Sequence, residues 1–338
     1  MRAANTTEVG MRFVREDGTA AASFPVGASG GTDGPTAELE ILRGELSRIL
    51  IDHSAARVDY RFGTQIADVT DHGDRVTVAL HDGESIDADL LVIAEGLNSR
   101  SRRFVTPVDV HELGMHIAYA TIPRTDADDG WWNWQAATGH RTVHLRPDNL
   151  GTTRAMLSFM SDVRGFEDLD RAAQNTILRR TFADVGGFAP RILAAIDEGA
   201  PMYFSAVGQA RPPVWSRGRI TLLGDAAFCN GTFGGAGTSL ALIGGYILAG
   251  ELAGTDDVRS ALARYEERMR PFVGTAPAMT ERSLRLANPG TRSGIRLLHA
   301  GAGLMAGPVG RTLTRLASRR TGEIAGGDVA LPDYPEAA

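Results

Sequence analysis

The residues best suited to chemistry lie between Arg219 and Leu252. Gly224-Asp225-Ala226-Ala227 is followed, a few residues on, by Gly234-Gly235-Ala236-Gly237-Thr238-Ser239. A carboxylate at the end of a strand and glycines at the start of a helix are the parts of a ligand cradle. The carboxylate accepts from a hydroxyl, and glycines let a flat or anionic group approach the backbone. The unpaired N–H groups of a helix start attract negative charge. Ile220 to Leu223 reads as the strand, and Ala226 to Gly237 as a sharply bending loop. Thr238 to Leu252 is apolar almost all round and reads as a buried helix of roughly 22 Å, with Thr238 or Ser239 available as its cap.

Two further stretches carry polar groups at structured positions. Leu90 to Ala94 reads as a buried strand that runs into Glu95-Gly96-Leu97-Asn98-Ser99-Arg100-Ser101-Arg102. Glu38 to Ser54 reads as a helix, with Leu39, Leu42, Leu46, Ile49 and Leu50 at helical spacing, and it carries Arg43. An arginine fork matches phosphate oxygens. Two motifs mislead. Gly27-Ala28-Ser29-Gly30-Gly31 has the spacing of a nucleophile elbow but lacks the helix that must follow. Gly301 to Ala306 fits G-x-G-x-x-A but lacks the second strand and acidic residue of a dinucleotide site, so close helix packing is expected there.

Together the Gly-Asp-Ala-Ala stretch, its glycine loop and the Glu95–Arg102 stretch resemble the FAD-dependent aromatic monooxygenases. This is the p-hydroxybenzoate hydroxylase-like family that includes the tetracycline-inactivating enzymes. The resemblance implies that Gly224 and Asp225 hold the ribityl chain. It implies that Gly234, Gly235, Ala236, Gly237, Thr238 and Ser239 lie against the pyrimidine edge of the flavin ring. Arg43, in Arg43-Gly44-Glu45-Leu46 with Leu50, resembles the family arginine that reaches the phosphate–ribityl region. Glu95, Gly96 and Arg102 match the family's Asp-Gly motif, which helps hold the flavin and the incoming NADPH or NADH. Glu95 departs from the family's aspartate, and Phe228 stands where relatives often have histidine.

The implied activity is hydroxylation of an aromatic or polyketide-like small molecule with O2. The chemistry is carried by FAD, and no protein nucleophile or metal is required. Two alternatives stay open: a truncated, non-catalytic flavoprotein fragment or pseudoenzyme, and a flavin-dependent reductase or halogenase on the same fold. The family begins with a strand–G-x-G-x-x-G–helix unit that this sequence does not contain. The expectation is that codons upstream of Met1 encode it in frame; a stop codon there would favour a degenerate relic.

The fold class expected is α/β, α+β overall. A three-layer FAD/NAD(P)-binding domain, truncated at its N-terminus, would carry an antiparallel substrate sheet and C-terminal helices. Residues 1–35 are expected to be connecting strands and loop. Residues 36–105 with 214–255 form the partial FAD-binding domain, 106–213 the substrate-roof sheet, and 256–338 a helical region. Trp131, Trp132 and Trp134 stand out in the sheet, as core packing or as cavity lining. The 338 residues carry a net charge of −6 and no basic run before the C-terminal region, so nucleic acid is not an expected partner. The one cysteine excludes an intrachain disulfide. No stretch reads as a signal peptide or membrane span, so a cytoplasmic monomer or homodimer is expected.

Overall fold

The structure, a computed structural model, describes residues 4–26, 40–231, 236–275, 279–307, 310 and 330–334. The chain runs β1 (Gly10–Val14), β2 (Ala20–Pro25), α1 (Arg43–Ser54), β3 (Ile66–Asp71), β4 (Val76–Leu80), β5 (Ser85–Ala88) and β6 (Leu91–Ile93). Then come β7 (His111–Pro123), β8 (Trp131–Ala137), β9 (Arg141–Pro147), β10 (Thr152–Met160), α2 (Arg171–Phe182), α3 (Ala189–Asp197) and β11 (Met202–Gln209). It continues with β12 (Ser216–Arg217), β13 (Ile220–Leu222), α4 (Asp225–Phe228), α5 (Ala236–Ala253), α6 (Val258–Thr275), α7 (Glu281–Ala287) and α8 (Arg292–Ala306). This is the mixed α/β composition expected. The chain divides into two compact units.

The first unit comprises Met1–Val58, Leu113–Val207 and Thr280–Gly322. Its seven-stranded sheet has the order β11-β7-β10-β9-β8-β1-β2. The alternation of side chains along β7, β9 and β10 sends Ala118, Ala120, Ile122, Val143, Leu145, Ala155 and Leu157 to one face. Leu178 and Phe182 of α2 and Ile192 and Ile196 of α3 cover that face, each at most 2% exposed. Asp170 starts α2 by accepting from the Ala173 N–H at 2.8 Å. The N-terminal hairpin enters the same sheet, with β1 parallel to β8 and Phe13 opposite Trp134. In α8, a methyl group on Gly303 would meet the Ala21 carbonyl of β2 at 3.6 Å. Gly303 of the G-x-G-x-x-A pattern thus lets α8 pack on β2, whereas Gly301 is exposed with open space around it.

The second unit comprises Asp59–Glu112, Gly208–Met279 and Glu323–Ala338. It holds an antiparallel β3-β4-β5 meander and a second sheet ordered β12-β13-β6. β13 runs parallel to β6, pairing Ile220 with Leu91 and Leu222 with Ile93. Ile93, Ile220, Leu222, Phe228, Ile247, Leu262, Tyr265 and Met269 share one core. Tyr265 is fully buried and donates its hydroxyl to the Leu222 carbonyl at 3.1 Å, fixing α6 against β13.

Three expectations are corrected. The β-branched and aromatic residues of Val58–Ile66 suggest a strand, but the strand is β3, Ile66–Asp71, and Val58, Tyr60 and Phe62 are exposed. The strand at Leu90–Ala94 is shorter and not buried on both faces. Among the described residues it is the last strand of its sheet, and Val92 is 36% exposed. The apolar helix α5 is buried on one side only, with Leu242 and Tyr246 each 44% exposed. The Tyr246 hydroxyl donates to the Pro332 carbonyl at 3.0 Å. No described helix is long and apolar enough to cross a membrane.

Candidate functional site

The Gly-Asp stretch sits where β13 ends. Gly224 has φ 63° and ψ −143°, a backbone conformation a side chain would strain, and this bend delivers Asp225 as the first residue of α4. Residues 225–228 are thus one helical turn, which corrects the expectation that a loop begins at Ala226. The turn exists because Ala226, Ala227 and Phe228 all bury their side chains, Phe228 against Trp215 at 5.2 Å. That packing accounts for an apolar ring at this position. A methyl group added to Gly237, in the first turn of α5, would lie 3.6 Å from Asp225 Oδ1. The half-buried carboxylate therefore borders the start of α5 at its glycine. Thr238 and Ser239 lie inside that first turn, so neither is the cap residue. Gly234 and Gly235 fall outside the described residues, and of Ala236 only the backbone is described.

Cys229 follows directly. Its thiol is pushed up to about 11, first by burial and then by the nearby Asp225 carboxylate. A protonated thiol is neither nucleophile nor metal ligand. Among the described residues no group of His, Cys, Asp or Glu is placed to hold a metal ion.

Glu95 and Arg102 are tied into the backbone. Glu95 Oε2 accepts from Ser99 Oγ at 2.8 Å and from the Ser101 N–H at 2.9 Å, while Oε1 accepts from Ser101 Oγ at 2.7 Å. Burial pushes its pKa up, but the hydrogen bonds from Ser101 and Ser99 outweigh it and hold Glu95 below its ordinary 4.5. Gly96, at φ 80°, makes the bend that allows this closure. Arg102 is 3% exposed. Its Nε donates to the Ala226 carbonyl at 2.8 Å, and its Nη2 to those of Leu97 at 2.6 Å and Gly96 at 3.3 Å. Arg102 thus clamps the Glu95–Arg102 turn onto the Asp225 turn. Ser99, Ser101 and the Ala226 carbonyl are partners that reading motif positions alone did not assign. The serines' spacing after an acid is the signal that could have found them.

Because the folded-state pKa of Glu95 is depressed, its stabilisation is present above pH 4.5 and is lost as pH falls through the lower folded value. Amides of residues 95–104 are expected to lose protection below that point before the rest of the unit, in hydrogen exchange followed against pH. Glu95→Gln should remove that pH dependence; unchanged protection profiles would refute the role given to the carboxylate.

Arg43 belongs to the first unit. It opens α1, is exposed and makes no ion pair among the described residues. In the same unit, the sheet face opposite α2 and α3 carries an aromatic row. Phe13, Trp134, His144, Met156 and Tyr119 stand opposite one another on successive strands. Trp134 and His144 centroids lie 4.3 Å apart, and Trp132 packs on Trp134 at 5.2 Å under the Arg146 guanidinium at 4.7 Å. His144 Nε2 lies 2.9 Å from Thr142 Oγ1. His144 Nδ1 and the indole nitrogens of Trp132 and Trp134 are buried with no partner among the described residues. Burial lowers the His144 pKa to about 3, so the ring is neutral at physiological pH. Its folded pKa lies below the unfolded 6.5, so its contribution is full above pH 6.5 and declines as pH falls toward 3. Its imidazole NMR signals are expected to show no titration between pH 5 and 8; a midpoint near 6.5 would mean the ring is solvated.

Residues 31–280 match the family described as FAD binding domain. The flavin-dependent monooxygenase eupH of a Phoma species is 34% identical over 339 residues, covering 91% of this chain and 78% of that protein. Among solved structures, the tetracycline destructase Tet(51) superposes with a TM-score of 0.74 at 25% identity, covering 98% of this chain and 83% of that one. Klebsiella pneumoniae HpxO, complexed with FAD and uric acid, shares the fold at TM-score 0.68 and 20% identity, covering 90% and 82%. The chain belongs to the FAD-dependent aromatic monooxygenase family.

Proposed function

We propose that this protein hydroxylates a flat, polyoxygenated aromatic or polyketide-like small molecule, using O2 and NADPH or NADH, with FAD held at Asp225. The observation that carries the reading is the half-buried Asp225 carboxylate facing Gly237 at the start of α5. The neighbouring Cys229 thiol donates to the Gly208 carbonyl at 3.5 Å, so among the described residues the carboxylate has capacity for a ligand hydroxyl. Bound flavin would supply hydride acceptance and oxygen activation. The chain's own part is to bind and orient. Asp225 accepts from the ribityl chain, and the backbone of Gly234 to Ser239 meets the ring's electron-rich edge. Arg43 is free to grip phosphate, and Gly96 with Glu95 shapes the bend toward the dinucleotide. Arg102 acts through the backbone it clamps.

The sheet of residues 106–213 is proposed to carry the substrate on its aromatic face. Trp132 and Trp134 offer partly exposed flat ring surfaces, while neutral His144 adds no charge. One structure that this fold matches is a tetracycline destructase, in keeping with a fused-ring substrate. The test is NADPH and NADH oxidation by FAD-loaded protein, with and without fused-ring phenols, with mass spectrometry of the product. Stimulated oxidation and a gain of one oxygen atom are expected. FAD binding without oxygenation of any such compound would overturn the substrate class; no FAD binding would overturn the assignment of Asp225.

A further inference from the structure

The outer side of α8 fits none of the roles above. Leu297, Gly301 and Leu304 recur at i, i+4 and i+7 on one stripe, and Met305 extends it. Leu297 is 75%, Leu304 65% and Met305 60% exposed, and Leu286 on α7 reaches 79%. These are among the most exposed large apolar side chains in the described chain. Arg296 borders the stripe on one side, about 100° round the helix from Leu297, and Arg292 precedes it by one turn on that same side; both are exposed, with no ion pair among the described residues. Arg296 also shares a pocket with Arg15 and His299. The sequence holds no Asp or Glu between Glu281 and Glu323, in a chain whose net charge is −6.

We infer that α8 is a peripheral docking face for an anionic lipid surface, lying in the headgroup plane with Leu297, Leu304 and Met305 inserted. Two features select this occupant. A second copy would set arginines against arginines, since the stripe has no acidic neighbour on its own helix. A purely polyanionic partner would use the arginines and leave the leucines and methionine in water. An anionic bilayer takes both, burying the apolar side chains while its headgroups meet the guanidinium groups. This is adsorption, not a span, and it departs from the absence of a membrane partner that a sequence without a membrane span leads one to expect.

The test is vesicle flotation of the whole FAD-loaded protein with phosphatidylglycerol-rich and with pure phosphatidylcholine vesicles. Binding is expected to the first, weakening with added salt, and not to the second. Leu297→Asn with Leu304→Asn should weaken it roughly tenfold or more, as should Arg292→Gln with Arg296→Gln. These side chains are exposed, so thermal midpoint and FAD content should stay unchanged and separate a docking defect from misfolding. Any of three results overturns the inference: no binding to anionic vesicles, binding that ignores the leucine substitutions, or self-association in sedimentation that the same substitutions abolish. DNA binding as tight as vesicle binding and indifferent to Leu297 and Leu304 would assign the face to polyanions instead.

Discussion

Replacing Arg102 by alanine is expected to lower the unfolding free energy by about 3 kcal/mol or more, because charge-assisted hydrogen bonds are worth roughly 1.5–3 kcal/mol each and are not fully additive. The guanidinium is 3% exposed and serves the carbonyls of Ala226, Leu97 and Gly96. Without it, three buried or half-buried acceptors lose a donor and a cavity opens between two turns distant in sequence. Arg102→Lys should recover only part, since one ammonium cannot reach the spread of a planar fork. Urea unfolding of the three proteins checks this. Equal midpoints for wild type and Arg102→Ala would show that water replaces the clamp without cost.

The second large effect is on the ligand. Asp225→Ala is expected to weaken FAD binding tenfold to a hundredfold, the equivalent of losing a hydrogen bond to a charged acceptor worth roughly 1.5–3 kcal/mol. The side chain is half-buried and its removal leaves the turn intact, because Ala226, Ala227 and Phe228 hold α4 in the core. Thermal stability without flavin should therefore change little while flavin affinity falls. Fluorescence titration with FAD separates the two. Asp225→Asn, which keeps the oxygen but not the charge, should lie between. Unchanged affinity in the alanine variant would mean that the Gly-Asp stretch does not hold the flavin.

The contrast between these two residues shows which parts of the site are legible in a sequence. Gly224-Asp225 is readable because a chain reversal at the end of an apolar strand requires a residue free of side-chain strain, and glycine announces it. Arg102 is visible as a motif position, yet its partners are main-chain carbonyls, which carry no letter in the sequence. The same limit hid the aromatic row. Phe13 and Trp134 meet only because β1 lies parallel to β8, and the register that pairs them is a tertiary fact. Local composition misled at Val58–Ile66, where Val58, Tyr60 and Phe62 favour a strand. The pairing goes instead to Ile66–Asp71, whose partner β4 presents Val76, Val78 and Leu80 to the core. Strand propensity states what a pleated surface tolerates, and the neighbouring strand decides where that surface is.

Cys229 gives the folded protein a built-in clock. A thiol that titrates at about 11 is almost wholly protonated at neutral pH, and burial keeps reagents away from it. Once the Asp225 turn opens, the same thiol returns toward its ordinary acidity and meets solvent. With a single cysteine in the chain, the rate of its alkylation by iodoacetamide counts openings of this one segment, without a label elsewhere to confuse the signal. FAD bound at the turn should slow that clock in proportion to its occupancy, so a mass-spectrometric time course becomes a ligand assay that needs no substrate.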